Sequence, residues 1–388
     1  MTQHLVIKNG DVLLAEGRLA RVDVRMVDGR IIQIGQELQG EQELDAAGHY
    51  VLPGLIDLHQ HGIGFESCES DTLDEFARLE ASRGATTFFP TLFAAPEKSI
   101  RLMARHRRTT DELRRLPQIG GFRLESPYLA HTGAGLANDL ALPSRATTDA
   151  LLDAGGGHIR IVDISPELPG AIEEIRYLSA QGIVCSLAHT EASIAQARAA
   201  VDAGARLVTH MFDTFVLPGL DDPDPGVYPA GLVDYLLVED RVMCEIIGDG
   251  THVHPLLVEK ALRCKTPDRL VFVTDSNLGA GLVPGDYDLP NNWGKGRIQG
   301  PNNGVRLVDR DMALAGSALT PLDSLKNAVN LFGQPLAVAS VICARTPARL
   351  LGLNKGEIAI GKDADIIVLD RNLELRHTIA AGVVIYTA

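Results

Sequence analysis

Residues 50–61 read Tyr-Val-Leu-Pro-Gly-Leu-Ile-Asp-Leu-His-Gln-His, an apolar run that ends in two histidines. The run predicts a strand buried on both faces of a parallel sheet. Because side chains alternate along a strand, His59 and His61 are expected to point the same way, so that two neutral imidazoles can bind one metal ion. Two surface histidines among the 12 of the chain are the plain alternative, and a His-x-His pair alone does not decide between them.

Further apolar runs follow this first one, and helical patterns separate most of them. The runs are 85–93, 118–125, 158–165, 183–189, 205–211, 242–247 and 270–275. The helical segments include 72–83, 169–181, 193–203 and 255–265. Together with the first run, these repeats predict an α/β fold, a (β/α)8 TIM-like barrel whose chemistry lies at the carboxyl ends of the strands.

The two ends of the chain differ from its middle. Short strands broken by turns are predicted at 4–8, 12–14, 21–26 and 30–34, and short strands return after Gly356. Neither end can bury a core alone, so we expect a small β-sandwich domain of residues 1–50 and 355–388 beside a barrel domain of residues 51–354. Segment 276–310 is rich in Gly, Pro and Asn and is expected to be a long loop that forms a lid or rim at the active-site face.

Composition argues against several classes of partner. The formal net charge of −14, without a basic face, argues against nucleic-acid binding. No apolar run reaches membrane-spanning length, and the first residues do not resemble a secretion signal. The five cysteines are irregularly spaced, which indicates small buried residues in a reducing compartment. We therefore expect a cytoplasmic protein with a small-molecule substrate.

Polar residues end five of the predicted strands. They are His59 and His61 on the first strand, Glu125 on the third, His189 on the fifth, His210 on the sixth and Asp275 on the eighth. A single histidine at a strand end is more often hydrogen-bonded scaffold than a ligand. Four imidazoles and two carboxylates at the same edge of one barrel, however, are a ligand set for Zn²⁺ or a similar first-row divalent ion, and they can hold two ions if Glu125 bridges.

Several motifs along the whole chain point to one family. They include Pro-Gly-Leu-Ile-Asp-Leu-His-Gln-His (53–61), Gly-Ala-Thr-Thr-Phe-Phe-Pro-Thr-Leu (84–92), Leu-Glu-Ser-Pro-Tyr-Leu (124–129), Ala-His-Thr (188–190), Val-Thr-His-Met-Phe-Asp (208–213), Asp-Gly-Thr-His-Val (249–253), Val-Thr-Asp-Ser (273–276) and Ala-Gly-Ser-Ala-Leu-Thr (315–320). With them the chain resembles the amidohydrolase superfamily and, within it, the N-acetylglucosamine-6-phosphate deacetylases. Most of the superfamily has a carboxylated lysine at the position of Glu125. A glutamate at this position is the choice of the deacetylases.

The resemblance implies a role for each residue of the predicted site. His59, His61, Glu125, His189, His210 and Asp275 would be the metal-site residues, with one or two ions, most simply Zn²⁺ and otherwise Mn, Fe or Co. A divalent ion supplies a strong nucleophile by lowering the pKa of a water that it binds. Asp275 would also be the catalytic acid/base that takes the proton and passes it to the departing amine. His252 would bind the acetyl carbonyl oxygen, as a catalytic and substrate-binding residue.

The chain departs from the family pattern after the sixth strand. Asp213 replaces a neutral amide, and it is expected to contact the substrate. The following loop, 217–226, lacks the arginine that the family uses for the sugar phosphate, and it carries Asp221, Asp222 and Asp224. Such a loop repels a phosphate, so we expect a substrate without a 6-phosphate. The alternative candidates for binding a phosphate are Lys295 and Arg297 in segment 276–310.

Three functions are weighed on these residues. The favoured one is a metal-dependent deacetylase, expected to be a homodimer, that acts on an N-acetylated amino sugar. Another amidohydrolase activity, such as N-acyl amino acid deacylation or cyclic amide opening, is the alternative among enzymes. A non-catalytic binding protein that keeps the barrel is the alternative from another class, although such a protein would be free to lose metal ligands, and all six are present.

Overall fold

The structure is a computed structural model that describes residues 4–133, 137–215 and 229–388. It begins with a group of strands that precede the first helix. These strands are β1 (His4–Leu13), β2 (Leu19–Val27), β3 (Arg30–Gly35), β4 (Gln42–Asp45) and β5 (Tyr50–Pro53).

The middle of the chain alternates strands with helices. In chain order the strands are β6 (Leu55–Gln60), β7 (Gly62–Ile63), β8 (Glu66–Ser67), β9 (Ala85–Leu92), β10 (Phe122–Leu124), β11 (Ile159–Ile164), β12 (Val184–Leu187), β13 (Leu207–Val208), β14 (Met243–Ile247) and β15 (Leu270–Val273). The helices are α1 (Asp74–Ala81), α2 (Pro96–Thr109), α3 (Arg145–Gly155), α4 (Ala171–Ala180), α5 (Ile194–Ala203), α6 (Leu232–Val238) and α7 (Pro255–Cys264). β7 and β8 pair with each other as a short antiparallel hairpin.

Eight of these strands form a parallel barrel. Their order is β6-β9-β10-β11-β12-β13-β14-β15, and every neighbouring pair is parallel. The last strand meets the first through a parallel bridge between Gln60 and Ser276, and the backbone N–H of Asp275 donates to the carbonyl oxygen of His59 at 2.9 Å. The predicted (β/α)8 barrel is thus confirmed, and the ends of its first and last strands lie side by side.

The segment predicted as a long loop after the barrel is instead a small antiparallel sheet. Its strands are β16 (Gly285–Leu289), β17 (Gly294–Ile298), β18 (Val305–Leu307) and β19 (Ala313–Leu314). Leu289, Ile298 and Val305 are buried in a cluster that belongs to this sheet. The expectation of a long loop was wrong because the few apolar residues are spaced so that they meet once the segment folds back on itself. We call residues 285–314 the insertion sheet.

Strands from both chain ends form one further sheet. After helices α8 (Pro321–Asn330), α9 (Leu336–Ser340) and α10 (Thr346–Leu350) come β20 (Ile366–Leu369), β21 (Leu375–Ala380) and β22 (Val383–Thr387). The sheet order is β22-β21-β20-β5-β1-β2-β3, with β4 on β1, and the sheet has its own buried core. This agrees with a small β-sandwich domain from both ends. The run of residues 50–61 divides at Gly54 between this sheet and the barrel, and the exact domain limits stay a prediction.

Local sequence signals fix several helix ends. Ser193 and Gln196 form a reciprocal capping box at the start of α5, and Thr320 and Asp323 do the same for α8. Within the described ranges, no helix is both long and apolar enough to cross a membrane. All five cysteines are free thiols.

Candidate metal centre

Glu125 lies between two pairs of histidines. Its Oε2 is 3.4 Å from Nε2 of His59 and 3.0 Å from Nε2 of His61. Its Oε1 is 3.0 Å from Nε2 of His189 and 3.2 Å from Nε2 of His210. One carboxylate oxygen therefore faces each pair, which is the arrangement that a bridging carboxylate requires.

Asp275 completes the cluster on the side of the first pair. Its Oδ1 is 3.4 Å from Nε2 of both His59 and His61. All six predicted residues are thus brought together, each at or just beyond the carboxyl end of its barrel strand. His189, His210 and Asp275 have positive φ angles of 43°, 21° and 47°. Such angles are uncommon for residues other than glycine and tend to occur at functional sites, where the surrounding structure holds them.

The ring hydrogen bonds of two histidines leave Nε2 free on the inner side. Nδ1 of His61 donates to the carbonyl oxygen of Thr91 at 3.0 Å, and Nδ1 of His210 donates to that of Asp213 at 3.3 Å. With Nδ1 protonated, Nε2 presents a lone pair toward the carboxylates, where a metal ion or a proton can bind.

The electrostatics of the cluster favour positive charge at its centre. Burial opposes a charge on His61, but hydrogen bonds to Asp275 and Glu125 outweigh it and raise the pKa of His61 to about 10. Burial likewise opposes ionisation of Glu125, yet the charge of His59 and hydrogen bonds from His189 and His210 hold the pKa of this carboxyl well below its usual range. Nitrogen and oxygen donors that jointly attract a cation fit a divalent ion of the Zn²⁺ class.

Three overlapping groups of side chains are close enough to hold an ion. In each group the ligand atoms lie within 4.8 Å of one another, and the groups are His59–Glu125–His210, His59–His61–Asp275 and His210–Asp213–Asp275. Because the groups share members, the cluster has donors for more than one ion. Which ion binds, and how many, stays a prediction.

His252 is held at the edge of the same cavity by a carboxylate that sequence reasoning did not single out. Its Nδ1 is 2.6 Å from Oδ2 of Asp249, and the backbone N–H of His252 donates to Oδ1 of Asp249 at 2.9 Å. Burial opposes a charge on His252, but the hydrogen bond that its ring donates to Asp249 outweighs this and raises the pKa of the ring. Since Nδ1 is occupied, Nε2 is the nitrogen left for a ligand. The motif 249–253 carried the signal, because an aspartate three residues before a histidine can reach its ring.

The cluster opens into a cavity of about 500 Å³. We call the six predicted ligands the metal cluster; they are His59, His61, Glu125, His189, His210 and Asp275. Other residues that line the cavity include Lys98, Asp139, Asp213, His252, Trp293 and Arg310. Nζ of Lys98 pairs with Oε1 of Glu69 at 2.5 Å, so this cation already has a carboxylate partner. The predicted substrate contact of Asp213 stays a prediction, and residues 217–226 lie outside the described part of the chain.

The alternative phosphate anchors are elsewhere. Neither Lys295 nor Arg297 is among the described residues that line the cavity. Arg297 is paired with Asp286 across the β16–β17 hairpin, with its Nε 2.7 Å from Oδ1. These two residues are therefore not in a position to replace a phosphate-binding arginine in this structure.

A buried ion network lies beneath the cluster, inside the barrel. Arg123 donates to both oxygens of Asp163, at 3.1 and 3.0 Å, and to both oxygens of Glu245, at 2.6 and 3.0 Å. All three side chains are fully buried. Oε2 of Glu245 is also 3.7 Å from Nδ1 of His59, so the network reaches the metal cluster from below. Its signal in the sequence was a charged residue inside an apolar strand, which sequence reasoning passed over.

The comparison with protein families gives one match across most of the chain. Residues 50–385 match the model of the amidohydrolase family. A protein from Lysinibacillus sphaericus named N-acetylglucosamine-6-phosphate deacetylase is 30% identical, over 97% of this chain and 97% of its own length. A protein from Escherichia coli O157:H7 named N-acetylgalactosamine-6-phosphate deacetylase is 32% identical, over 96% of this chain and 97% of its own.

A solved structure agrees with these relatives. The N-acetyl-D-glucosamine-6-phosphate deacetylase of Mycobacterium smegmatis, solved as a variant in complex with N-acetyl-D-glucosamine-6-phosphate, superposes with a TM-score of 0.84. The sequences are 30% identical, and the match covers 99% of this chain and 100% of the other. The similarity therefore extends over the barrel and the sheet from both chain ends.

Proposed function

This chain belongs to the amidohydrolase family, and we propose that it is a metal-dependent deacetylase that removes the acetyl group from an N-acetylated amino sugar. The observation that carries the proposal is Glu125 with one oxygen toward each pair of histidines, beside a cavity large enough for a sugar. The relatives from two bacteria, both named as deacetylases of phosphorylated amino sugars, support the same reaction.

The residues divide the work of amide hydrolysis between them. His59, His61 and Asp275 on one side, and His189 and His210 on the other, would hold divalent ions with Glu125 between them. A bound divalent ion supplies a nucleophile from water at neutral pH and polarises the amide carbonyl. Asp275 accepts the proton of the attacking water and returns it to the amine nitrogen, which leaves as a neutral amine.

His252 acts on the carbonyl oxygen of the amide. With its Nδ1–H directed to Asp249, the ring in its charged form also presents Nε2–H toward the cavity and donates a hydrogen bond to the acetyl oxygen as negative charge develops there. The carboxylate of Asp249 keeps the ring in this orientation and supports the charged form of the imidazole. The ring is thereby positioned before the substrate arrives.

The experiment is a substrate panel read out as released acetate. Metal-loaded protein is offered N-acetylglucosamine, N-acetylgalactosamine and their 6-phosphates, together with N-acetyl amino acids and a cyclic amide. We expect acetate from the amino sugars. Products from the other amides alone would favour the alternative amidohydrolase activity, and no hydrolysis of any compound despite binding would favour a non-catalytic protein.

Two further properties belong to the proposal. We propose a homodimer, which light scattering on the purified protein tests by its mass in solution. We also propose a reducing cytoplasmic location, which the free thiols support because exposed Cys264 and four buried cysteines remain unpaired.

A further inference from the structure

Trp293, the only tryptophan of the chain, lines the same cavity as the metal cluster. It lies at the tip of the β16–β17 hairpin of the insertion sheet, on a part of the cavity wall to which the mechanism above assigns no role. Its side chain is half-buried and packs against the apolar cluster of that sheet. The indole therefore has support from below while part of it stays accessible from the cavity.

The hairpin tip is held rigidly by its own turn. Asn291 and Asn292 have φ angles of 57° and 61°, a conformation that asparagine tolerates better than most residues. The backbone N–H of Trp293 donates to the carbonyl oxygen of Pro290 at 3.2 Å and closes the turn. The backbone on which the indole is mounted is thus fixed by local interactions.

Two contacts also dock the hairpin onto the barrel. Nδ2 of Asn291 donates to Oγ of Ser67 at 3.2 Å, and Ser67 itself lines the cavity. Lower on the hairpin, the rings of Tyr287 and Phe65 meet edge to face with centroids 5.9 Å apart. Because both contacts are to the β7–β8 hairpin just after His61, the position of the indole is tied to the strand that carries the metal cluster.

We propose that Trp293 is a specificity-determining residue that stacks against the apolar C–H face of the substrate's pyranose ring. A flat indole offers a large contact area at little conformational cost, and it recognises a ring by shape rather than by charge. With the ring held there, the acetamido group is directed to the metal cluster. This inference rests on the proposed function, because it names the part of the amino sugar that the insertion sheet recognises.

The single tryptophan makes the proposal directly measurable. In metal-loaded Asp275→Asn protein, which retains Trp293, we expect N-acetylglucosamine to change the intrinsic fluorescence in a saturable way. Its open-chain reduced form, N-acetylglucosaminitol, keeps the acetamide but has no ring, and should produce a much smaller change. The same titration on Trp293→Phe protein provides the blank. An equal response to ring and open chain, or no response to either, would overturn stacking.

Kinetics supply the second test. We expect Trp293→Ala to raise KM for N-acetylglucosamine about tenfold with little change in kcat, and Trp293→Phe to restore most of the affinity. For N-acetylglucosaminitol the two variants should behave like the unmodified protein. An unchanged KM in Trp293→Ala, with normal acetate release, would overturn this inference while leaving the deacetylase intact. Absence of acetate release from every amino sugar would instead contradict the proposed function.

Discussion

Oδ2 of Asp249 lies 2.6 Å from Nδ1 of His252, and the same carboxylate accepts the backbone N–H groups of Thr251 and His252. Both side chains are almost completely buried, at 0% and 6% exposure. A carboxylate so placed keeps a proton on Nδ1 and supports the charged ring, and only in that charged form does Nε2 also carry a proton toward the cavity. His252 thus depends on Asp249 for its orientation, in the way that ligating histidines depend on their hydrogen-bonded partners.

The first prediction tests this dependence with a double-mutant cycle. We expect His252→Ala to lower kcat about a hundredfold, because a donor to the developing oxyanion is lost. Asp249→Ala alone should cost about tenfold or more, yet add little in the His252→Ala background. Asp153→Ala, at an exposed position of α3 that is not among the residues lining the cavity, is the matched control. Fully additive losses would show that Asp249 acts independently of His252.

The second prediction concerns the proton shuttle. Asp275→Asn should keep the fold, since the backbone N–H of residue 275 still reaches His59, but lose at least about a hundredfold in kcat because an amide cannot carry the proton. Circular dichroism checks the fold, and acetate release checks the rate. Turnover within severalfold of the unmodified protein would remove Asp275 from the mechanism.

The third prediction concerns the metal. Four histidines and two carboxylates facing one another should retain a divalent transition metal through purification. Elemental analysis after growth with Zn²⁺ or Mn²⁺ should give at least about half an equivalent per chain, and chelation should lower the melting temperature. His189→Ala should reduce the metal content, whereas His49→Ala, in the turn between β4 and β5, should not. A metal-free protein that melts at the same temperature with and without added ions would contradict the site.

The sequence predicted which polar residues meet at the barrel mouth better than it predicted the buried charges beneath them. Residues that end a barrel strand, such as Glu125 and Asp275, are predictable because the fold brings every strand end to one edge. Contacts between charges from different strands are set by barrel register instead, so the partners of Arg123 could not be read from one strand. The division of residues 50–61 at Gly54 could not be predicted for a similar reason. An apolar run is compatible with a strand in either sheet, and only the tertiary structure shows that the run is shared between them.

The fourth prediction follows from that buried network. Replacing Arg123 by Met leaves the carboxylates of Asp163 and Glu245 buried without their partner, which should cost about 3–5 kcal/mol in the free energy of unfolding. Urea denaturation measures the loss. Neutralising the carboxylates as well, in Arg123→Met with Asp163→Asn and Glu245→Gln, should recover part of it. Arg101→Met, on the exposed face of α2, is the control and should change stability by less than about 0.5 kcal/mol.

The last prediction concerns the phosphate, the property in which we expect this chain to differ from its named relatives. In the described lining of the cavity, Lys98 is paired with Glu69, and Asp139 and Asp213 add negative charge to that of Glu125 and Asp275. Arg310 remains as a cation with no ion pair among the described residues. Like charges close together in a partly desolvated site cost on the order of a few kcal/mol.

We therefore expect kcat/KM for N-acetylglucosamine to exceed that for its 6-phosphate by about tenfold or more. If Asp213 contributes to the repulsion, Asp213→Asn should narrow the difference, and added salt should narrow it further because it screens exposed charges. The opposite result has its own structural explanation to check. A preference for the phosphorylated sugar that disappears in Arg310→Ala would identify Arg310 as the anchor, because Lys295 and Arg297 lie outside the described cavity wall, and the chain would then share the substrate named for its relatives.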